Sequence, residues 1–173
     1  MSAWPGSRSR DGGVDRIPLP RTPGGLWLCG KHVTGPDPDA AMERVAASTI
    51  VCLTERHELE DRYPAYVEWL EVNRGGRAVW FPIPDLHAPA VEAVLPLLDD
   101  LCERLERSER LLMHCGAGIG RAGTMAASLL MVMEIDRDAA LGVVAAHRPM
   151  AGPEAGAQRD LIDALAVHLV QRG

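Results

Sequence analysis

A cysteine and an arginine stand at the two ends of a short glycine-rich stretch in the second half of the chain. Cys115 and Arg121 are separated by five residues, Gly-Ala-Gly-Ile-Gly, none of which carries a polar side chain. A thiolate is a strong nucleophile, and a guanidinium can hold two oxygens of one anion through parallel hydrogen bonds. Because this spacing lets the chain wind around one tetrahedral anion, it predicts a nucleophile and a cation directed at the same oxyanion.

The segments on either side of this stretch indicate how the two side chains are positioned. Leu111, Leu112 and Met113 form an apolar run typical of the end of a buried strand, and the Ala-rich segment after Arg121 predicts a helix. Glycines let the backbone turn its N–H groups inward, and a helix N-terminus adds positive partial charge. The sequence therefore predicts a phosphate site in which Cys115 ionises more readily than a free thiol.

Residues 114–124, HCGAGIGRAGT, resemble the active-site signature of the cysteine-dependent protein tyrosine and dual-specificity phosphatases. The resemblance implies that Cys115 is the nucleophile and Arg121 a phosphate ligand, and that His114 fixes the loop backbone by hydrogen bonds. The substrate-binding residues implied in this stretch are His114, Gly116, Ala117, Gly118, Ile119 and Gly120. Ala122 stands where the family normally has a hydroxyl that donates to the cysteine sulfur. We therefore expect a phosphocysteine intermediate to break down slowly.

A second stretch with chemical potential reads PIPDLHAP, at residues 82–89. The leaving oxygen of a phosphoester needs a proton as its bond breaks, and a carboxyl near a dianion is favoured in its protonated form. In the family that the signature resembles, a mobile loop upstream of the cysteine carries an aspartic acid with this role, and Asp85 matches it. His87 and Asp61 are alternative proton donors. The loop lacks the Trp-Pro-Asp tripeptide of classical tyrosine phosphatases, which favours the compact, kinase-associated-phosphatase-like type.

The segment that begins at Pro153 resembles the family's glutamine segment, which orders the water that attacks phosphocysteine. The resemblance implies a substrate-site role in water positioning for Gln158, and an exposed helical glutamine is the alternative. Glu154 stands where another glutamine is often found. Because its charge would repel a bound anion, we expect Glu154 to point away from the site.

Composition limits the kinds of partner. The chain has 173 residues, enough for one domain with a buried core. Its 18 basic and 24 acidic residues give a net charge of −6, so we expect no nucleic-acid partner. No apolar stretch is long enough for a signal peptide or a membrane span, so we expect no membrane association. Four cysteines without metal-type or disulfide-type spacing favour a reducing cytoplasm. We expect a monomer that uses no cofactor and no metal.

Strand-like and helix-like segments alternate along the chain. The strand-like runs are residues 26–29, 48–53, 77–81 and 111–113. The helical patterns are residues 37–45, 91–107, 121–133, 139–147 and the segment from Pro153 onward. This alternation predicts an α/β fold: a single domain with a central, mostly parallel four- or five-stranded sheet flanked by helices, as in the phosphatase fold. Residues 1–24, rich in Gly, Pro, Ser and Arg, predict a flexible N-terminal arm or a strap, and residues 25–173 the phosphatase domain.

These features predict a phosphate monoester hydrolase that acts on phosphotyrosine, and also on phosphoserine or phosphothreonine, through a phosphocysteine intermediate. Its partner would be a phosphorylated protein or peptide. Two alternatives stay open. Phosphoinositide phosphatases commonly place lysines in the cysteine loop, whereas these five positions are neutral. A module that binds phosphopeptides with slow or no turnover is favoured by Ala122.

Overall fold

The computed structural model describes residues 13–173, and a five-stranded sheet forms its centre. The strands are β1 (Asp15–Ile17), β2 (Gly25–Gly30), β3 (Thr49–Cys52), β4 (Ala78–Trp80) and β5 (Arg110–Cys115). Their order in the sheet is β1-β2-β5-β3-β4. The edge strand β1 runs antiparallel to β2, and the other neighbours are parallel. This confirms the predicted α/β class and the mostly parallel sheet.

Helices cover both faces of the sheet. Across the described residues they are α1 (Lys31–Thr34), α2 (Pro38–Arg44), α3 (Pro64–Asn73), α4 (Val91–Glu106), α5 (Gly120–Val132), α6 (Arg137–His147) and α7 (Gly156–Arg172), with one 3-10 turn at Arg56–Glu58. Asp37 caps α2, because its carboxylate accepts from the Ala40 N–H at 3.0 Å. Pro96 lies inside α4 without ending it. The last helix begins at Gly156, three residues after the predicted start at Pro153.

Alternating side chains of the strands divide the core into two parts. On one face, residues such as Leu111 and Met113 pack against α4, α5, α6 and α7. On the other face, residues such as Leu112 and Cys52 pack against α2 and α3. Cys115 belongs to the first part, whereas the fully buried His114 contacts Tyr66 of α3 on the second. Adjacent residues at the end of β5 therefore face opposite helical layers.

The carboxyl ends of the three central strands meet at one edge of the sheet. Gly30 pairs with Cys115, and Cys52 pairs with His114. The segments that leave these strands, which begin at residues 31, 53 and 116, therefore start side by side. In open α/β sheets this edge is where ligands bind.

The N-terminal segment differs from a purely flexible arm where the structure describes it. Residues 13–24 include β1, whose Ile17 is fully buried against the sheet. The remainder of the predicted arm, residues 1–12, lies outside the described residues. Within the described part of the chain, no helix combines the length and apolar character needed to cross a bilayer.

Candidate active site

The loop of residues 115–121, named here the cysteine loop, joins the central strand β5 to α5. Cys115 is only 3% exposed, and its Sγ accepts a hydrogen bond from the backbone N–H of Ala122 at 3.4 Å. Gly118 has a φ of +75°, and an added Cβ would overlap the Cys29 carbonyl oxygen of β2. Only glycine fits at this position. At residue 122 the backbone N–H thus contacts the sulfur, and the alanine side chain has no donor to add to it.

Arg121 closes the cysteine loop and is held from two directions. Its Nη1 and Nη2 each donate to a carboxylate oxygen of Glu58 at 2.8 Å. Nη1 also donates to the carbonyl oxygen of Ile83 at 2.8 Å, and Nη2 lies 3.5 Å from Asp85 Oδ1. The arginine side chain is 3% exposed. Arg121 therefore links the 3-10 turn after β3 to the loop that carries Asp85.

The Arg121–Glu58 pair favours the charged form of both groups. Burial alone would lower the pKa of Arg121, but the hydrogen bonds to Glu58 and the Cys115 charge raise it above its ordinary value. Burial raises the pKa of Glu58, and the bonds from Arg121 outweigh that effect, so its pKa is lowered overall. The arrangement fixes the plane of the guanidinium before any ligand binds.

The loop of residues 82–89, named here the acid loop, places Asp85 beside Arg121. The Asp85 side chain is 70% exposed, and its Oδ1 accepts from the Leu86 N–H at 3.0 Å. Leu86 has a φ of +63°. The ring of His87 is turned back toward the Asp85 carbonyl oxygen, with Nδ1 at 2.7 Å. Asp61 is exposed in the turn that follows the 3-10 turn. Of the three candidate acids, Asp85 lies beside Arg121, with its Oδ1 3.5 Å from Nη2.

Gln158 connects the start of α7 to the acid loop. Its side chain is buried, with 1% exposed, and is not the exposed helical glutamine of the alternative prediction. Its Oε1 accepts from the Glu154 N–H at 2.7 Å, and its Nε2 donates to the His87 carbonyl oxygen at 3.4 Å. The Glu154 carboxylate lies against Gly120, where an added Cβ would overlap Oε1. The Glu154 carboxylate therefore lies beside the cysteine loop, at Gly120. The hydrogen bond from the Glu154 N–H to Gln158 Oε1 holds the backbone of this segment. The Glu154 carboxylate lies at the N-terminus of α5, whose positive partial charge attracts it.

His114 supports the loop from the opposite face of the sheet. Its Nδ1 lies 3.1 Å from the Cys115 carbonyl oxygen, and its Nε2 lies 2.6 Å from the Tyr66 hydroxyl. A carbonyl oxygen can only accept, so Nδ1 carries the hydrogen and Nε2 accepts from Tyr66. Burial lowers the pKa of His114 from 6.5 to about 4. The ring is therefore neutral at pH 7 and serves as a hydrogen-bonded support.

Two residues at the site carried no chemical role in the sequence analysis. Glu58 falls in the charged run after β3, and its capping-box pairing with Glu55 is the one local signal at this position. Arg148 donates to carbonyl oxygens of Ala117 and Gly118 in the cysteine loop. Its sequence context indicates only the end of a helix before a proline.

Among residues 13–173, one group of side chains has metal-type proximity. Glu55, His57 and Glu58 offer ligand atoms within 4.8 Å of one another. Both Glu58 oxygens already accept from Arg121, and His57 Nε2 lies 2.6 Å from Glu55 Oε2. The ligand atoms of this group are thus already in contact with other protein groups, and we assign no metal to it.

Comparison with known proteins gives the family. Residues 26–164 match the family model described as Swiss Army Knife protein, DSP-PTPase phosphatase domain. The chain belongs to this DSP-PTPase phosphatase family. The match spans β3, β4, β5 and β2 from Leu26 onward, together with the cysteine loop, the acid loop and the start of α7. It confirms the resemblance inferred from residues 114–124.

Solved structures agree with the fold of this DSP-PTPase domain. Tk-PTP in its active form is 26% identical with a TM-score of 0.66, over 88% of this chain and 96% of Tk-PTP. Kinase associated phosphatase (KAP), with its catalytic site cysteine substituted by serine, is 20% identical with a TM-score of 0.76, over 92% and 96%. PTPMT1 in complex with PI(5)P is 15% identical with a TM-score of 0.72, over 92% and 97%. No curated protein gives a significant match.

Proposed function

We propose that this DSP-PTPase domain hydrolyses phosphate monoesters on tyrosine, and also on serine or threonine, of proteins through a phosphocysteine intermediate. The observation that carries the proposal is the convergence of three groups. Cys115 and Arg121 are the first and last residues of one short loop, and Asp85 Oδ1 lies 3.5 Å from the guanidinium that would hold the phosphate. A nucleophile, an oxyanion ligand and a proton donor are the three parts that in-line phosphoryl transfer to a thiolate requires.

In the first step Cys115 Sγ attacks phosphorus and forms the P–S bond as the P–O bond to the leaving group breaks. Arg121 and the backbone N–H groups of the cysteine loop hold the equatorial oxygens. Asp85 gives its proton to the leaving oxygen, so a neutral alcohol or phenol departs.

In the second step a water molecule attacks the phosphocysteine. Asp85, now a carboxylate, takes the proton from this water, the P–S bond breaks, and inorganic phosphate and the Cys115 thiolate are released. Both ends of the Gln158 amide are engaged by Glu154 and His87. We therefore assign Gln158 an indirect effect on the water, through the position of the acid loop.

Two variants, each with a matched control, test this mechanism with p-nitrophenyl phosphate and with phosphotyrosine and phosphothreonine peptides. Cys115→Ser should abolish turnover of every substrate. Asp85→Asn should lower kcat by about 10²-fold to 10³-fold, within the range of general acid catalysis. Asp61→Asn is the matched carboxylate control, and Cys102→Ser on α4 is the matched thiol control. Each should keep kcat within about twofold, the scatter expected for a surface change.

The competing functions give different results in the same assay. Tight phosphopeptide binding with no turnover by the wild type would show a binding module. Faster hydrolysis of phosphatidylinositol phosphates than of phosphopeptides would show a lipid phosphatase. The neutral side chains of residues 116–120 support the peptide substrate over a multiply charged headgroup.

A further inference from the structure

A second buried arginine contacts the cysteine loop on its carbonyl side. The Arg148 side chain is 4% exposed and follows α6, which ends before Pro149. Its Nε donates to the Gly118 carbonyl oxygen at 2.7 Å, and its Nη2 donates to the Ala117 carbonyl oxygen at 3.0 Å. One planar guanidinium therefore holds two consecutive carbonyl groups of the loop.

These bonds fix where the loop directs its donors. The described residues contain no cis peptide bonds, and in a trans peptide the C=O and N–H groups point in opposite directions. The N–H groups of Gly118 and Ile119 therefore point away from Arg148. Consecutive N–H groups on one side of a loop form the kind of concave surface that binds anions.

The rest of the arginine is anchored outside the loop. Nη1 donates to Asp15 Oδ2 at 2.9 Å, to the Gly13 carbonyl oxygen at 3.2 Å and to the Leu28 carbonyl oxygen at 3.3 Å. Asp15 is 6% exposed, so β1 supplies a buried carboxylate opposite the buried guanidinium. The position of Arg148 is thus set by Gly13, by Asp15 of β1 and by Leu28 of β2, and β2 is the neighbour of β5 in the sheet.

We propose that Arg148 is a positioning residue of the oxyanion site. It acts through the carbonyl groups of Ala117 and Gly118, which it holds so that the N–H groups of the cysteine loop face the anion, and Asp15 fixes Arg148 for this role. The catalytic consequence rests on the proposed function. The test below measures anion binding directly, so it does not require turnover.

Lysine is a poor substitute for this arginine. An ammonium is a compact point charge, whereas the guanidinium offers donors in a fixed plane and contacts two loop carbonyls and a carboxylate at once. Arg148→Lys keeps the charge and should restore part of the function that Arg148→Met loses. Asp15→Asn keeps the arginine and removes its carboxylate partner, so it should give an intermediate loss.

The chain offers a matched control for a buried arginine. Arg104 on α4 is 8% exposed and donates to the consecutive carbonyl oxygens of Gly75 and Gly76, at 3.3 Å and 3.0 Å. It also pairs with Asp100 and Glu109. Arg104→Met removes the same kind of network from a loop that does not contain Cys115. A loss of stability alone would affect both methionine variants in the same way.

The measurement compares two alkylating reagents at Cys115, followed by mass spectrometry of the peptide that contains it. Iodoacetate is an anion and iodoacetamide is neutral, and both react with the thiolate, so the ratio of their rates reports attraction of the anion to the site. Protection of Cys115 by added inorganic phosphate gives an apparent Kd for phosphate. The kcat and KM for p-nitrophenyl phosphate complete the comparison.

The wild type should prefer iodoacetate and be protected by phosphate. Arg148→Met should lower the rate ratio and raise the phosphate Kd, each by about tenfold or more, because displacement of binding groups by about 1 Å can cost 10²-fold. Arg148→Lys and Asp15→Asn should fall between these values. Arg104→Met should match the wild type within about twofold, even if it lowers the melting temperature.

A folded Arg148→Met protein, judged by far-ultraviolet circular dichroism, with wild-type rate ratio and phosphate Kd would overturn the inference. If that variant does not fold, Arg148→Lys and Asp15→Asn decide the question, and wild-type values in both would overturn it equally. A wild type that binds phosphate without hydrolysing esters would refute the proposed function and leave the effect of Arg148 measurable. Active wild type with unchanged Arg148 variants would refute only the positioning role.

Discussion

Acidification should destabilise the protein because His114 is neutral and fully buried in the fold. Burial is the main cause that lowers its pKa from 6.5 to about 4. In the unfolded chain the same imidazole takes up a proton near pH 6.5. Between these two values the unfolded state binds more protons than the folded state, so the free energy of unfolding falls as the pH falls.

The size of the effect follows from the two values. At about 1.4 kcal/mol per pH unit, the interval from 6.5 to about 4 corresponds to a loss of about 3 kcal/mol in the free energy of unfolding. The stabilisation is fully present above pH 6.5 and is lost progressively toward pH 4. Glu58 adds a further loss of the same sign below its ordinary value of 4.5, because its pKa is lowered in the fold. The histidine contribution is therefore lost mainly above about pH 4, and the Glu58 contribution is lost only below pH 4.5.

Urea denaturation at several pH values from 4.5 to 7.5 tests this reasoning on the wild type and on His114→Asn. Asparagine can still donate toward the Cys115 carbonyl oxygen but does not titrate. The variant should be less stable at pH 7.5, and the gap should shrink by about 2.5 kcal/mol at pH 4.5, where the wild type alone loses the histidine contribution. His147→Asn, at an exposed position on α6, is the matched control and should run parallel to the wild type. Parallel curves for His114→Asn and the wild type would refute the argument.

Three further substitutions test other contacts of the site. Ala122→Ser should speed phosphoenzyme breakdown by about tenfold, since a hydrogen bond to a charged group contributes about 1.5–3 kcal/mol. Burst kinetics with p-nitrophenyl phosphate measure the rate of this breakdown, and an unchanged burst and steady state would contradict the prediction. Glu58→Gln leaves Arg121 buried without its carboxylate and should lower kcat/KM by about tenfold or more, whereas Glu55→Gln, its capping partner, should have a smaller effect. Gln158→Leu should lower kcat by about tenfold while KM changes little, because the acid loop loses its bond at His87; an unchanged kcat would show that this bond does not matter.

The strand-loop-helix around Cys115 could be predicted because its signals are local. An apolar run ends directly before the cysteine, glycines follow, and small residues continue into α5. The α/β class was predictable for the same reason, since each strand and helix has its own pattern. The family model and the observed sheet confirm these two predictions.

The contacts that hold the site were not predictable, because they join distant parts of the chain. Glu58 lies 63 positions from Arg121, and the pair forms because β3 is the neighbour of β5 in the sheet. Nothing in the sequence gives this strand order. Asp15 and Arg148 are likewise brought together by the antiparallel β1, a three-residue strand too short for its pattern to stand out.

The start of α7 shows how one side chain can change a helix boundary. Pro153 is a favourable first helical residue, but the N–H of Glu154 is taken by the Gln158 side chain, and Ala155 is extended. Side-chain capture of a backbone donor competes with the helix at this point. The helix therefore begins later than the proline suggests.

The apolar side chains of the cysteine loop have a consequence for genetics. If the oxyanion is bound by main-chain N–H groups, alanine substitutions do not remove those groups. The loss of activity in each variant then measures only whether the added methyl group fits. Gly118→Ala should be damaging because its new methyl group meets the rigid backbone of Cys29. Gly120→Ala meets only the movable end of Glu154 and should be tolerated. An alanine scan of this loop would thus identify the positions where a methyl group has room. It would not identify most of the loop atoms that bind the ligand, because these are backbone N–H groups.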